Sequence, residues 1–534
     1  MRNLELNIHM TFTETDESIT NENCVERLGN GSLSIIFDAK YKSDIDYLEK
    51  RTLQLSYSTL RAVFTEHLRN VSKEYANEQI KLIHVDGIIV EHPNLYPVDG
   101  EIGRIEFQTF DVKSKEDKIL FAGSDMFPAL KGCEWYLTQG FKEVGVFLGA
   151  VNRSYRQTTE VINRVRQQEL GDGTPLTTLC DKAHSEGKKV HDFIEIKTQK
   201  TFEEHHFNSE GVPDTECSVV KEFHEASYLE EKDLQGALTS VFAEIAKKGY
   251  APEDYVTIQK TTIGNKNYEN PKNTVNLHYD DIGVKKQKEH REKKSDTPMY
   301  EEYQPEKIKG TRPSVQNTVA RIEHNGKGFT STGRNISEVL KYVLAVLLCN
   351  NLLDNNLVIF TDGYKPLHTA LESFFSWHPK VTLYLDWFHV EKKFKEDLSL
   401  ACKGREIRKN HLDQIMPMLW FGLIDKAKDY ISAIPMSDIK NPAPLNRLIE
   451  YLERNRERIP CYSMRKRLGL PNSSNPVERS NNIVTAMRQK HNGMSWSNNG
   501  SYALTALKAV VVNQSTKQWV TTRTLPFLLV AKAA

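Results

Sequence analysis

Residues 380–394 read KVTLYLDWFHVEKKF. Apolar residues alternate up to Asp386, the pattern of a half-buried strand, and a charged, helix-like run begins at Trp387. Asp386 stands where a helix N-cap belongs, and His389 follows it three residues later. Upstream, NNLVIFTDGYKPLHTALESFF (355–375) repeats the design: a strand, then Thr361-Asp362-Gly363, then a helix. Further upstream, TVNLHYDD (274–281) reads as a strand ending in two aspartates. SVQNTVARIEHNGKGFTSTG (314–333) reads as another strand and turn, and ISEVLKYVLAVLLCNN (336–351) as a buried helix. Neighbouring strands followed by repeated strand-to-helix units predict an α/β fold built on a mixed sheet.

Each acid falls at, or just past, the C-terminal end of a strand, the edge where open α/β sheets bind ligands. Asp280, Asp362 and Asp386 are therefore expected along one rim. Grouped carboxylates repel unless a cation compensates, and hard oxygen ligands suit Mg²⁺ or Mn²⁺. Two such ions, roughly 4 Å apart, stabilise the attacking and leaving oxygens of an in-line phosphoryl transfer. A further acid, Glu478, lies in the first turn of a helix predicted from SSNPVERSNNIVTAMRQ (473–489). Asn482 and Thr485 would extend its polar face, with Ile483, Ala486 and Met487 packing the opposite side. Taken singly, each acid is equally well read as a helix cap or turn residue.

Bulk composition narrows the field. The chain has 534 residues, 27% of them charged and 39% hydrophobic, ordinary for a globular protein. Lys+Arg and Asp+Glu both total 71, so any nucleic-acid surface must be a local patch. Seven scattered cysteines with no C-x-x-C pair argue against a zinc ribbon and read as free thiols in a reducing cytosol. The apolar run at 336–353 is interrupted by Glu338 and Lys341 and is too short for a membrane span. A cytoplasmic protein without a membrane partner is expected.

The chain divides by pattern into an α+β region of unknown role (1–130), a mostly helical region (131–250), the first part of the sheet core (251–395), a helical insertion (396–470) and a closing part (471–534). Within the second region, residues 154–190 predict a helix capped by Ser154, a break at Gly171 and Gly173, and a second short helix. With Arg153, Arg156, Arg164, Arg166, Lys188 and Lys189 the pair suits a helix-turn-helix, though any helical hairpin with a solvated basic face reads alike. The charged run 285–313 reads as a solvated loop, and Asp86 as a turn residue.

The order Asp280, Asp362, Asp386-x-x-His389, Glu478 and then GMSWS (493–497) resembles the DDE transposases of bacterial insertion sequences, particularly those related to eukaryotic Mutator elements. TDGYKPLHTAL, LDWFHVEKKF and NPVERSNNIVTAMR carry the likeness, which covers about residues 270 to 515. SYRQTTEVINRVRQQ resembles the helix-turn-helix region of those proteins. The resemblance implies an RNase H-like catalytic core with a helical insertion between the second and third acids. It implies that Asp280, Asp362 and Glu478 hold two Mg²⁺ (or Mn²⁺) ions for DNA strand cleavage and strand transfer at element ends. Asp280 is preferred to its neighbour Asp281 because Asp-Asp-Ile-Gly-Val-Lys parallels the family pattern, and a strand sends the two to opposite faces. Asp386 and His389 would border the metal site and steady it. The implied partners are double-stranded DNA, at the terminal inverted repeats and the target, and further copies of the chain. Lys403, Arg405, Arg408 and Lys409 in the insertion would contact phosphates or form a solvated face. The rival readings are an RNase H-like nuclease without strand transfer, a DNA-binding regulator with a decayed core, and a structural α/β protein whose acids are caps.

Overall fold

The computed structural model describes residues 26–29, 32–35, 43–83, 87–130, 136–168, 173–264, 268–287, 313–490 and 493–531. Asp86, Gly171 and most of the charged run 285–313 lie outside them. The described chain forms mixed α/β structure in two compact units: Met1–Gly145 with Arg156–Thr178, and Val146–Tyr155 with Leu179–Ala534. The region 131–250 is thus shared between units instead of forming one of its own.

In the first unit one helix, Ile45–Ile83, runs beside two three-stranded sheets. Phe64 and Leu68 pack with Val98, Ile105 and Phe107, and Ala76 and Ile80 with Phe110 and Val112. Arg166, expected on a DNA-facing surface, is buried here. Its guanidinium donates to the Gly100 carbonyl (2.9 Å), Asn163 Oδ1 (2.7 Å) and Thr174 Oγ1 (2.6 Å), and stands 3.7 Å from the Asp99 carboxylate. A buried arginine that donates to three acceptors beside a carboxylate is a structural clamp.

The second unit is built on a six-stranded sheet. Its strands are β1 (Thr274–Lys285), β2 (Ser314–His324), β3 (Lys327–Gly333), β4 (Asn356–Thr361), β5 (Val381–Leu385) and β6 (Val530–Ala531), in the order β5-β4-β1-β2-β3-β6. β1, β2 and β3 form an antiparallel meander, and β4 and β5 add in parallel on the other side of β1. β6 pairs with β3, a role the closing FLLVAKAA did not advertise. The buried helix α1 (Ile336–Cys349) follows β3 and is capped by Asn335, whose side chain accepts from the Glu338 N–H. Helix α2 (Lys365–Phe374) joins β4 to β5, and α3 (Trp387–Ala401) leaves β5. Among the described residues no helix is long and apolar enough to cross a membrane.

The insertion after α3 is helical as expected: Arg405–Trp420, Ile424–Ser432, Ala443–Arg454 and Tyr462–Arg467. Its core joins Phe394 and Leu398 of α3 to Leu419, Leu448 and Leu452. Burying each such side chain stabilises by about 1.5–3 kcal/mol. Arg465 ties the insertion to the sheet. It is fully buried, makes a two-point contact with Glu269 (2.9 and 2.7 Å) and lies 4.1 Å from the Tyr384 ring centre.

The helix-turn-helix expectation meets a different geometry. The first helix, Tyr155–Val165, is short, but the second runs 29 residues, Leu176–Glu204. No proline interrupts it, and Gly187 lies within it at a close packing contact. A Cβ at Gly187 would stand 2.2 Å from the Ala503 carbonyl oxygen on α5 (Asn498–Val512), so the two helix backbones touch there. The long helix is therefore packed against the sheet unit along part of its length and is not a short recognition element.

Candidate active site

Sheet register gathers the acids. β1 pairs with β4 in parallel up to His278 opposite Phe360, and β4 with β5 up to Thr361 opposite Leu385. Two residues past His278 is Asp280, two past Phe360 is Asp362, and one past Leu385 is Asp386. The three acids thus fall in one row across three adjacent strands. One correction follows: β1 does not end at its aspartates but continues to Lys285, because its other neighbour β2 pairs with it all the way. Asp280 is a mid-strand residue at the level where β4 stops.

Pleating separates the two neighbouring aspartates. Asp280 is half-buried and accepts from Asn481 Nδ2 at 2.7 Å, whereas Asp281 is exposed and accepts from the Thr318 hydroxyl of β2. Asp362 is exposed, and its Oδ1 accepts from the Tyr364 N–H (2.8 Å). Gly363, at φ +86°, makes that turn possible. Asp386 is wholly buried. Its Oδ1 caps α3 by accepting from the N–H groups of Phe388 (2.6 Å) and His389 (3.2 Å). Its Oδ2 accepts from both the N–H and the hydroxyl of Ser474.

That last contact brings in the fourth acid. Ser474 precedes helix α4 (Asn475–Asn481), with Pro476 in the first turn, so Asp386 fixes the starts of two helices at once. Glu478 lies in the first turn of α4 with Oε1 3.9 Å from His389 Nε2. His389 Nδ1 is 3.7 Å from Asp386 Oδ2, close enough for an ion pair but too long for a hydrogen bond. The imidazole therefore stands between a buried carboxylate and a half-exposed one.

After α4 the chain makes a π-helical turn, Asn482–Ala486. Such turns insert one residue into the helical register. Asn481, not Asn482, faces Asp280, while Asn482 is exposed and Thr485 buried. Met487 is exposed as well; the packing residues are Val477 and Val484, against Val319 of β2. Lys508 of α5 donates to the Ile483 carbonyl within the turn (2.7 Å), and burial, with Arg488 nearby, lowers its ammonium to about 8.

Charges in the cluster act on one another. Burial raises the Asp280 carboxyl, the Asn481 donor and His389 oppose this, and Asp362 and Glu478 add to it. The Asp386 carboxylate raises the His389 imidazole against burial, with Asp362 and Glu478 assisting. Burial would raise Asp386, but His389 and the two Ser474 donors outweigh it and hold it below its usual value. Asp280, Asp362, Glu478 and His389 therefore share one electrostatic environment.

As donors the carboxylates suit a hard divalent cation; the Asp280 carboxyl is raised chiefly by burial, with the neighbouring Asp362 and Glu478 charges adding to it. Among the described residues no three His, Cys, Asp or Glu groups converge closely enough to hold a metal ion as they stand. Glu478 is turned to His389 in this arrangement.

Of the basic residues, Arg153, Arg156, Arg164, Lys188, Lys189, Lys403, Arg405 and Lys409 are exposed, and Arg408 is half-buried with a bond to Ser399 Oγ (3.1 Å). Asn481 and Ser474 are the site residues that sequence reasoning missed. The Asn-Asn pair was visible, but not which member faces the sheet. No family model, curated protein or solved structure matches this chain.

Proposed function

We propose that the chain is a DDE transposase that cleaves and joins DNA strands at the ends of an insertion element. The observation that carries this reading is the register row Asp280–Asp362–Asp386, joined by Glu478 through the Ser474–Asp386 tie. The sheet order 3-2-1-4-5, with an antiparallel meander followed by parallel strands, supports an RNase H-like core. Acids on the central strand, on its parallel neighbour and on a late helix fit that core's catalytic set.

Asp280, Asp362 and Glu478 would hold two Mg²⁺ or Mn²⁺ ions. When bound, such ions supply charge stabilisation for the attacking and leaving oxygens of phosphoryl transfer. The chain's own residues set the frame. Asn481 orients the Asp280 carboxylate, and Asp386 holds the starts of α3 and α4, which keeps Glu478 beside His389. His389 balances Glu478 electrostatically. Asp281, on the opposite face, is left out. Double-stranded DNA would be held by local basic groups among Arg153, Arg156, Arg164, Lys188, Lys189, Lys403 and Arg405, with salt-dependent affinity. Two element ends would be brought together by at least two copies of the chain.

The test uses purified protein, Mg²⁺ and linear DNA carrying the sequences that flank its own coding region. We expect metal-dependent nicking by the parent protein and only background nicking by a folded Asp362→Asn variant. His389→Ala should retain more activity than Asp362→Asn, falling about 10- to 100-fold. Parent protein that nicks no better than Asp362→Asn would sink the reading. Nicking without joined products would reduce it to a nuclease.

A further inference from the structure

Among the described residues only three aromatic side chains are prominently exposed: Tyr228 (41%), Tyr364 (58%) and Phe388 (49%). Two of these three stand beside the row of acids. Each follows its aspartate by two residues, and each donates its backbone N–H to that aspartate's Oδ1, at 2.8 Å for Tyr364 and 2.6 Å for Phe388. Because Asp362 and Asp386 extend adjacent parallel strands in register, Tyr364 and Phe388 occupy equivalent places on neighbouring strand-to-helix turns. Phe388 also meets the His389 ring edge-on, with centroids 5.7 Å apart, and His389 faces Glu478. The other aromatic rings of these two strands, Phe360 and Tyr384, are buried.

Leaving large apolar surface in water costs about 25 cal/mol per Å² relative to burying it, so two such rings at one rim call for an occupant. The neighbourhood selects its chemistry. Helices α2 and α3 begin at this rim, and helix N-termini attract phosphate. A strand whose phosphodiester lies at the carboxylates places its flanking bases within reach of the rings beside them. Aromatic faces hold unpaired bases by stacking, whatever the base.

We infer that Tyr364 and Phe388 form a stacking platform for an unpaired base next to the scissile phosphate. The inference rests on the proposed strand-cleavage reading and deepens it: the substrate is DNA whose end is locally unpaired at the cleavage site. The platform is a binding feature and does not touch the reacting atoms.

The test measures binding of the full-length protein, at low salt, to two oligonucleotide probes of one sequence. One is a blunt duplex; the other carries a three-nucleotide unpaired end containing 2-aminopurine, whose fluorescence falls on stacking. The parent should bind the unpaired probe more tightly and quench it. Phe388→Leu should lose about 5- to 150-fold in affinity for that probe, the range stacking of one base spans, and should lose the quenching. Tyr364→Leu should do the same to a similar or smaller degree, and Phe388→Trp should restore both. Duplex binding should be unchanged in all three.

Phe388→Leu and Tyr364→Leu variants that bind and quench like the parent would overturn the platform. Equal loss on both probes together with a change in oligomeric state would also overturn it, assigning the rings to an interface between copies. The two readings fail separately. If the parent nicks DNA and Asp362→Asn does not, yet the leucine variants are silent, the platform alone is wrong. If the parent neither nicks nor prefers the unpaired probe, both fall.

Discussion

Replacing Asp386 should cost stability first and activity as a consequence, and the structure sets the size of the effect. The carboxylate is wholly buried and accepts four hydrogen bonds: from the N–H groups of Phe388 and His389, and from the N–H and hydroxyl of Ser474. In Asp386→Ala the lost cap of α3 costs about 1 kcal/mol. The two donors of buried Ser474 are left without an acceptor, at about 1–3 kcal/mol each. The sum is about 3–7 kcal/mol. Asp362→Asn is the control: that side chain is exposed and accepts one bond, from Tyr364, which an amide oxygen can keep. Its cost should stay within about 0.5 kcal/mol. Urea titration followed by tryptophan fluorescence suits the measurement, because Trp387 adjoins the substituted residue and packs 4.8 Å from Trp420. With a slope of about 3 kcal/mol per M, Asp386→Ala should lower the midpoint of the transition reported by Trp387 by about 1–2 M. Asp362→Asn should leave it in place. A midpoint for Asp386→Ala within about 0.2 M of the parent would refute the reasoning. So would an equal fall for Asp362→Asn. In either case Asp386 would have to be reconsidered as a ligand and not as the residue that positions Glu478.

Two further outcomes test the frame around the site. Gly187→Ala places a methyl group 2.2 Å from the Ala503 carbonyl oxygen, a backbone atom that cannot step aside, so we expect a loss of about 3 kcal/mol or more in thermal or urea unfolding. A variant as stable as the parent would mean that the long helix and α5 do not touch there. Glu338 provides a pH dependence: burial raises its carboxyl, but His191 (3.3 Å), the Arg334 N–H (2.6 Å) and the Arg334 guanidinium outweigh burial and hold it at about 2. Its folded value lies below the unfolded value of about 4.3, so its contribution is complete above that pH and is lost as pH falls towards 2. Unfolding temperatures of the parent should therefore fall more steeply between about pH 5 and pH 2 than those of Glu338→Gln. Parallel curves would contradict this.

Much of the core was legible because its signals are local. Alternation into Asp386, the apolar run of β4 before Asp362, and Pro476 behind a serine each specify an element through nearest neighbours. The insertion's helices were legible for the same reason. The misreadings share a different cause. Arg166 looked solvent-facing because its sequence neighbours are polar, but Asp99 and Thr174 come to it from distant or folded-back chain. The second helix of the pair was expected to be short, but it runs to Glu204, and at Gly187 a partner helix fills the space a side chain would take. Asn482 was expected on the polar face at i+4 from Glu478, but Asn481, at i+3, is the residue that meets Asp280, and only the sheet's position separates the two.

By itself the sequence determined that Asp362 and Asp386 close apolar strand patterns and open helices, and that a glutamate lies in the first turn of a late helix. These follow from periodicity and capping, which act over a few residues. Only the tertiary structure decided that Asp280, Asp362 and Asp386 share one row, because register is fixed by hydrogen bonds between strands. It also decided that Asp386 ties α3 to α4 while Asp280 takes its partner from Asn481. Such contacts join residues far apart in the chain, and their geometry exists only once the sheet and helices have packed.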